Sequence, residues 1–227
     1  MKKRLVVFGG SSALAKDLCA GLSDHFDIVS VSSKKSDSYD TKIKNIKVEE
    51  YSDKELLNLI NGFDKKIEHL FLFMNGITDS SAFFKLSHKE ISNIIRVNLE
   101  LPVIITNILV NKFMLKKTKY IYFSSSRALL GDRGISIYSS TKSSLKFFAR
   151  SLSLEYGNFN QFFYTISLGV FKKGLANKVK KTSLDKILKR SAINDYVSID
   201  DLIKSIIYIS ENDGASGSVL NVDNGYF

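Results

Sequence analysis

LVVFGGSSALAKDL, residues 5–18, decides how the rest of the chain is read. Four apolar residues, Leu5–Phe8, read as a buried strand. Gly9-Gly10 then break the chain, and Ser12 precedes an apolar pattern at helical spacing, Leu14, Leu18 and Leu22. A strand, a glycine turn and a helix N-terminus in succession form the place where a dinucleotide phosphate sits in open α/β sheets. Two positions where that fingerprint expects glycine hold Ala13 and Ala15. Taken alone, the stretch is as well read as a structural turn.

Working outward, apolar runs alternate with amphipathic stretches along the whole chain. Strand-like runs are RLVVFG (4–9), DIVSVSS (27–33), IKNIKVEE (43–50), IEHLFLFMNG (67–76), KYIYFSSS (119–126), QFFYTISLG (161–169) and GSVLNVDNG (217–225). Helical patterns lie near Leu14–Leu22, Asp53–Ile60, His88–Asn98, Leu101–Leu115, Ser139–Tyr156 and Ile199–Ser210. The central runs alternate little, which is the mark of strands covered on both faces and so of a parallel sheet. The expectation is a doubly wound α/β Rossmann fold with a mainly seven-stranded parallel sheet, 1–227 forming one domain. Residues 170–197 break the rhythm. They are long and basic and follow a strand end, and we read them as a substrate lid.

Composition narrows the function classes. The chain has 227 residues, a formal charge of +10 and a single cysteine. One cysteine excludes an internal disulfide and offers no metal cluster. Cys19 falls on the apolar face of the first helix and reads as core packing. No apolar run reaches the roughly 18 residues of a membrane span, and Lys16-Asp17 end any likeness to a signal peptide. A cytoplasmic protein without membrane or metal is expected. The lysines are spread along the chain and are not interleaved with stacking aromatics, so nucleic acid is not expected as a partner.

The chemistry concentrates at strand ends. Ser124-Ser125-Ser126 follow the fifth strand, and 13 residues beyond Ser125 comes YSSTK, with Tyr138 and Lys142 four apart on one helix face. A free tyrosine has a pKa near ~10, and a neighbouring cation favours its phenolate. With ten tyrosines in a lysine-rich chain, about one such spacing arises by chance. The serine cluster at the preceding strand end gives the pair its meaning.

In this order and spacing the chain resembles the short-chain dehydrogenase/reductase family, in its shorter classical form, over nearly its whole length. EYSD (50–53) stands where DVTD is usual, FMNGI (73–77) where NNAGI is usual, and VNLELP (97–102) carries the family's helix asparagine as Asn98. The ending ASGSVLNVDNGYF resembles ITGxxLxVDGGY. There are departures. Phe8 replaces a threonine, Ala13 and Ala15 replace glycines, Phe73 and Met74 replace asparagines, Leu168-Gly169 replaces proline–glycine, and Lys173 replaces a threonine.

The resemblance implies a carbonyl reductase or alcohol dehydrogenase with a small-molecule carbonyl or alcohol substrate. Tyr138 is the implied proton donor, Lys142 lowers its pKa and holds the nicotinamide ribose, Ser125 binds the carbonyl oxygen, and Asn98 supports a water chain. Implied cofactor contacts are Gly9, Ser11, Ser12, Leu14, Ser33, Lys34, Glu50, Tyr51, Asn75, Gly76, Tyr138, Lys142, Gly169 and Val170. Phosphate would be met by the backbone donors of Gly9–Ser12 or by the helix N-terminus. Ser33 occupies the acidic position after the second strand and Lys34-Lys35 follow it, which favours NADP(H) over NAD(H). The basic excess in the lid, Lys172, Lys173, Lys178, Lys180, Lys181, Lys186, Lys189 and Arg190 against Asp185 and Asp195, suits an anionic substrate, acyl-carrier-linked or sugar- or nucleotide-linked. It is equally the solvated face of a lysine-rich protein.

Apolar residues Leu145, Phe148, Ala149 and Leu152, with Ile104, Ile105, Ile108, Leu109 and Phe113, exceed one sheet-facing stripe. The family commonly pairs these two helices, so a homodimer or homotetramer is expected. Two rival readings stay open: a catalytically weak nucleotide-binding sensor of the same fold, and an extended-type sugar-nucleotide epimerase or dehydratase.

Overall fold

The computed structural model describes residues 2–34, 42–78, 81–172 and 181–227. Its strands are β1 (Arg4–Phe8), β2 (Asp27–Ser32), β3 (Lys44–Lys47), β4 (His69–Phe73), β5 (Thr118–Ser125), β6 (Gln161–Leu168) and β7 (Val219–Val222). They form one seven-stranded sheet in the order β3-β2-β1-β4-β5-β6-β7, and every pairing is parallel. The chain winds outward in one direction from β1 and in the other from β4, so the switch point lies between those two strands. Parallel strands all end on one edge of the sheet, and that edge carries the turns that follow each strand.

Helices cover both faces. The helices α1 (Ala13–Leu22) and α8 (Ile199–Glu211) pack on one face, where Leu5, Val7, Leu18, Leu22, Leu70, Ile121, Leu202 and Ile206 form a core. Cys19 is buried there, and burial pushes its thiol up to about 12, which leaves it inert packing as read. On the other face lie α2 (Asp53–Asn61), α3 (His88–Ile95), α4 (Leu101–Lys112) and α6 (Ser136–Tyr156). Its core is unusually aromatic: Phe8, Phe71, Phe73, Tyr120, Tyr122 and Phe163. Alternation on β4 explains the division, since His69, Phe71 and Phe73 point to one face and Leu70 and Leu72 to the other.

The helix starts follow their local chemistry. Ser87 accepts from the Glu90 N–H at 3.3 Å while the Glu90 carboxylate accepts from the Ser87 N–H at 2.8 Å, a capping box at α3. Ser198 caps α8, with Asp200 and Asp201 in its first turn.

Two helices expected at 88–98 and 101–115 are joined. A wide π-turn, Arg96–Glu100, links α3 to α4, and the Leu101 N–H donates to the Arg96 carbonyl five residues back. Pro102 follows at once. It has no N–H to close the next α-turn, so the wide turn falls where the ladder is already interrupted. This run, His88–Lys112, is long and apolar enough to cross a membrane. Here Leu101, Ile105, Leu109 and Val110 are buried against the sheet, as in a core helix.

The residues expected to pair two copies mostly face their own sheet. Leu145, Ala149, Ile105, Leu109 and Phe113 are buried. The large apolar residues left exposed on α6 are Phe147 and Leu154, which lie outside the expected set.

Two short helices were not legible in the sequence, α5 (Ser126–Leu130) directly after β5 and α7 (Lys181–Leu188) within the lid region. The ends of that region meet, because the Val197 N–H donates to the Val170 carbonyl at 2.8 Å. Lys173, Lys178 and Lys180 lie outside the described residues.

Candidate active site

The site is built from strand ends. Ser125 is the last residue of β5, Asn75 and Gly76 follow β4, and the Gly9–Ser12 turn follows β1. Tyr138 and Lys142 come from the first two turns of α6, which packs directly on β5 and β6. Helical spacing puts the two side chains on one face, toward the end of β5.

Ser125 stands beside the Tyr138 phenol as a hydrogen-bonding neighbour. Burial raises the Tyr138 phenol above its ordinary value, while the Ser125 bond and the charge of Arg127 pull it back down. Lys142 is 5% exposed, and burial lowers its ammonium to about 8. Its Nζ donates to the Asn75 carbonyl at 2.9 Å. Gly76 lies against it, since a Cβ there would stand 3.5 Å from Lys142 Nζ and 3.9 Å from Asn98 Oδ1.

Asn98 sits in the π-turn, fully buried. Its Oδ1 accepts from the Ile77 N–H at 2.9 Å, and its Nδ2 donates to the Ile77 carbonyl at 2.8 Å. That two-point clamp fixes the segment carrying Gly76. The second Nδ2 hydrogen reaches Thr141 Oγ1 at 3.3 Å. Thr141 in turn donates to the Ile137 or Tyr138 carbonyl. Asn98 therefore ties β4 to α6 between Tyr138 and Lys142. On the same face of the sheet, Ser124 Oγ of β5 donates to the Lys142 carbonyl at 2.9 Å.

The phosphate end differs from expectation in one respect. The N–H groups of Gly9 and Gly10 both donate to the Val31 carbonyl, at 2.9 and 3.2 Å. They are committed to β2, which leaves Ser11 and the first turn of α1 as the donors able to meet an anion. Gly9 is required by backbone shape: its φ is +85°, and a Cβ would stand 2.8 Å from the Asn75 nitrogen. Ser12 caps α1, accepting from the Ala15 N–H at 3.1 Å. Ala15 is buried in the α1 core and Leu14 packs at its margin.

At the far end, Ser33 and Lys34 are exposed after β2, and Ser32 Oγ donates to the Lys34 carbonyl at 2.7 Å. Lys35 lies outside the described residues. Glu50 and Tyr51 follow β3, and Tyr51 is buried with φ +55°. Such a backbone is costly for a bulky residue and is found where surroundings impose it. The Glu55 carboxylate imposes it here by accepting from the N–H groups of Glu49, Glu50 and Ser52 at 3.0, 3.1 and 3.3 Å. Gly169 packs against Asp223, where a Cβ would come within 2.7 Å of its Cα. Val170 follows at the mouth of the lid region. Among the described residues no cluster of His, Cys, Asp or Glu side chains could hold a metal ion.

These features fit a dinucleotide laid across the switch point. A helix N-terminus stands at one end. At the other, beside Lys142, the Asn75 Oδ1 is buried without a partner among the described residues and is suited to a polar group of a ligand.

A family model described as enoyl-(acyl carrier protein) reductase matches residues 33–227. The chain belongs to the short-chain dehydrogenase/reductase family. With membership go an oxidoreductase activity and a nicotinamide dinucleotide cofactor. A similar curated protein is the 3-oxoacyl-[acyl-carrier-protein] reductase of Buchnera aphidicola subsp. Baizongia pistaciae, 24% identical, with 100% of this chain and 98% of that protein covered. Another is the L-rhamnose 1-dehydrogenase (NADP(+)) of Thermoplasma acidophilum, 22% identical over 98% of this chain and 95% of that protein. Among solved structures, 4-hydroxyisoleucine dehydrogenase complexed with NADH superposes with a TM-score of 0.85 at 18% identity, over 99% of this chain and 98% of that one. ElxO with NADP bound gives 0.86 at 17% identity, over 100% and 99%. At these identities the structural likeness speaks for the fold.

Proposed function

We propose that this short-chain dehydrogenase/reductase is an NADP(H)-dependent carbonyl reductase or alcohol dehydrogenase working through Ser125, Tyr138, Lys142 and Asn98. The observation that carries the reading is the placement of Tyr138 beside Ser125, with Lys142 buried one helical turn along and held at the Asn75 carbonyl at 2.9 Å.

Asn75, Gly76 and Lys142 would hold the nicotinamide end of the cofactor, which would supply the hydride chemistry at the carbonyl carbon in either direction. Tyr138 donates its phenolic proton to the carbonyl oxygen as charge develops there. Ser125 donates a hydrogen bond to the same oxygen. Lys142, held at the Asn75 carbonyl, stabilises the phenolate left behind and stands ready to return a proton. Asn98 supports that relay by fixing Ile77 and Thr141, so both walls of the proton path keep their spacing.

Lys34 supports the choice of NADP(H), because its ammonium follows β2 where a ribose 2′-phosphate would lie. The NADP(+) in the name of the Thermoplasma relative points the same way, while the NADH of the 4-hydroxyisoleucine dehydrogenase structure marks the other option. Residues 170–197 serve as the substrate lid, with an anionic substrate favoured by their charge. The exposed Phe147 and Leu154 support a homo-oligomer, which light scattering at micromolar concentration reads directly.

The rival reading, a nucleotide-binding sensor, draws support from the commitment of the Gly9 and Gly10 N–H groups to Val31. Turnover of NADPH with a panel of aldehydes, ketones and oxo acids separates the two. Oxidation of NADPH with at least one carbonyl compound is expected. Tight NADPH binding with no turnover across the panel would favour the sensor.

A further inference from the structure

Two residues beyond Ser125 stands an arginine that sequence reasoning did not single out. Arg127, in α5, places Nε and Nη2 3.0 and 2.8 Å from Asp132 Oδ2. Arg190, just after α7, brings Nη1 to 3.6 Å from the same oxygen. Its guanidinium also lies over the Tyr226 ring, 5.1 Å from the centroid. The other Asp132 oxygen accepts from the Arg133 N–H at 2.8 Å. Arg190 Nε also donates to the Phe227 oxygen at 3.4 Å, so among the described residues Arg127 and Arg190 share the Asp132 carboxylate while Arg190 is held in addition by the last residue. Burial works against the Asp132 charge, yet the Arg127 bonds, the Arg133 N–H and the two arginine charges hold its carboxyl below the ordinary value.

The cluster lies at the reacting end of the site. Arg127 stands two residues past Ser125, and Ser143 Oγ of α6 donates to the carbonyl of its neighbour Ala128 at 2.9 Å, which holds α5 against the helix that carries Tyr138. Arg127 also lies beside the Tyr226 hydroxyl, a buried atom with no well-formed hydrogen bond among the described residues. A guanidinium has five donors in a rigid fork, and Arg127 spends two of them on Asp132. The side chains of Arg127 and Asp132 are 23% and 22% exposed. Their charges are thus less screened than those of Lys172, Lys186 and Lys189, which lie exposed on the lid region.

We propose that Arg127, assisted by Arg190, is the receptor for a carboxylate that the substrate carries near its reacting carbonyl, so that the substrate is an oxo acid and its product the corresponding hydroxy acid. The proposal rests on the oxidoreductase reading of Tyr138 and adds the class of substrate. The remaining donors of the Arg127 fork match the two oxygens of a carboxylate. Asp132 holds the fork in place, and Arg190 carries the same charge from the far end of the lid region.

The test uses pyruvate, acetoacetate and levulinate, three oxo acids of increasing reach, each beside its neutral methyl ester. With NADPH, wild type is expected to favour at least one acid over its ester by tenfold or more in kcat/KM. Arg127→Gln should raise KM for that acid at least tenfold and leave the ester within threefold. Lys204→Gln, exposed on α8, should leave both unchanged. Where Arg127→Gln does not fold, Arg190→Gln should still narrow the acid preference. Esters turned over as well as their acids by wild type would overturn the proposal. So would equal losses on acid and ester in the variant, the mark of a purely structural pair. If none of the six compounds oxidises NADPH, the reading of Tyr138 as proton donor to these carbonyls fails without deciding the receptor. Calorimetric titration of the NADP+-loaded protein then decides the receptor separately: acid-selective binding lost in Arg127→Gln supports it, and binding without selectivity overturns it.

Discussion

Phe8 and Phe73 stack across neighbouring strands, with ring centroids 5.5 Å apart and planes 14° from parallel. They are register partners in the β1–β4 pairing, and Phe73 stacks again on Tyr122 of β5 at 4.8 Å. Both residues depart from the family pattern, and the structure makes the two departures one feature. Aromatic pairs of this kind add to the area they bury. Restoring the family's asparagine by Phe73→Asn should therefore destabilise the protein, by about 3–5 kcal/mol on the scale of large-to-small core changes. In urea unfolding, the loss in the Phe8→Thr/Phe73→Asn double variant should fall short of the sum of the single losses, because each removes the same stack. Strictly additive losses would show that the pair is not coupled.

His69 should give the protein an acid-sensitive step above the range of its carboxylates. It is fully buried among Phe63, Phe71 and Phe113, with Nδ1–H donating to the Ile67 carbonyl at 2.8 Å and Nε2 without a partner among the described residues. Burial lowers its pKa from 6.5 to about 4. The folded state then binds fewer protons than the unfolded one between these values. Stability is full above pH 6.5 and falls as pH drops toward 4. His69→Phe should flatten this limb in melting curves taken from pH 7.5 to 4.5. A variant as acid-sensitive as wild type would assign the limb elsewhere.

Lys142 should work against stability at neutral pH. Its folded pKa, lowered by burial to about 8, lies below the unfolded value of 10.5. Between the two the unfolded chain binds more protons, so wild type gains stability as pH rises from 8 to 10.5 and lacks that gain at pH 7. Lys142→Met should melt at or above the wild-type temperature at pH 7, even after losing the bond to the Asn75 carbonyl, worth about 1 kcal/mol. Its advantage should shrink toward pH 10.5 while its activity is lost. A variant that melts lower at pH 7 and keeps the same deficit at pH 10 would show that Lys142 pays no burial cost.

Cofactor choice should turn on Lys34. Fluorescence titration should show NADPH binding at least tenfold more tightly than NADH, the order expected of a charge-assisted contact to a 2′-phosphate. Lys34→Glu should reduce or reverse that preference. Equal affinities in wild type would remove Lys34 from the account.

Much of this was legible in the sequence because it depended on local spacing. The i, i+4 placement of Tyr138 and Lys142, the serine at the end of β5 and the glycine turn after β1 each need only one element and its neighbour. The rest depended on the sheet or on closure of distant segments. Phe8 and Phe73 read as losses until the β1–β4 register made them a pair. Asn98 was placed in a helix, but the π-turn that faces it toward Ile77 arises from the break at Pro102. Arg127 and Arg190 meet on Asp132 only because the lid region returns to the end of β5. The commitment of the Gly9 and Gly10 N–H groups to Val31 likewise follows from β2 lying beside β1.

The most direct test of the central claim is Tyr138→Phe. The substitution removes one hydroxyl, the neighbour of Ser125, and leaves the Gly9–Ser12 turn, Lys34 and Lys142 in place. Turnover with the best carbonyl substrate should fall by about 10²–10⁴-fold, the usual contribution of a positioned proton donor. NADPH affinity, read by fluorescence in the same preparation, should stay within about threefold of wild type, because the lost interaction is made to the reacting group alone. Turnover within a few-fold of wild type would contradict Tyr138 as the proton donor and, with it, the proposed mechanism.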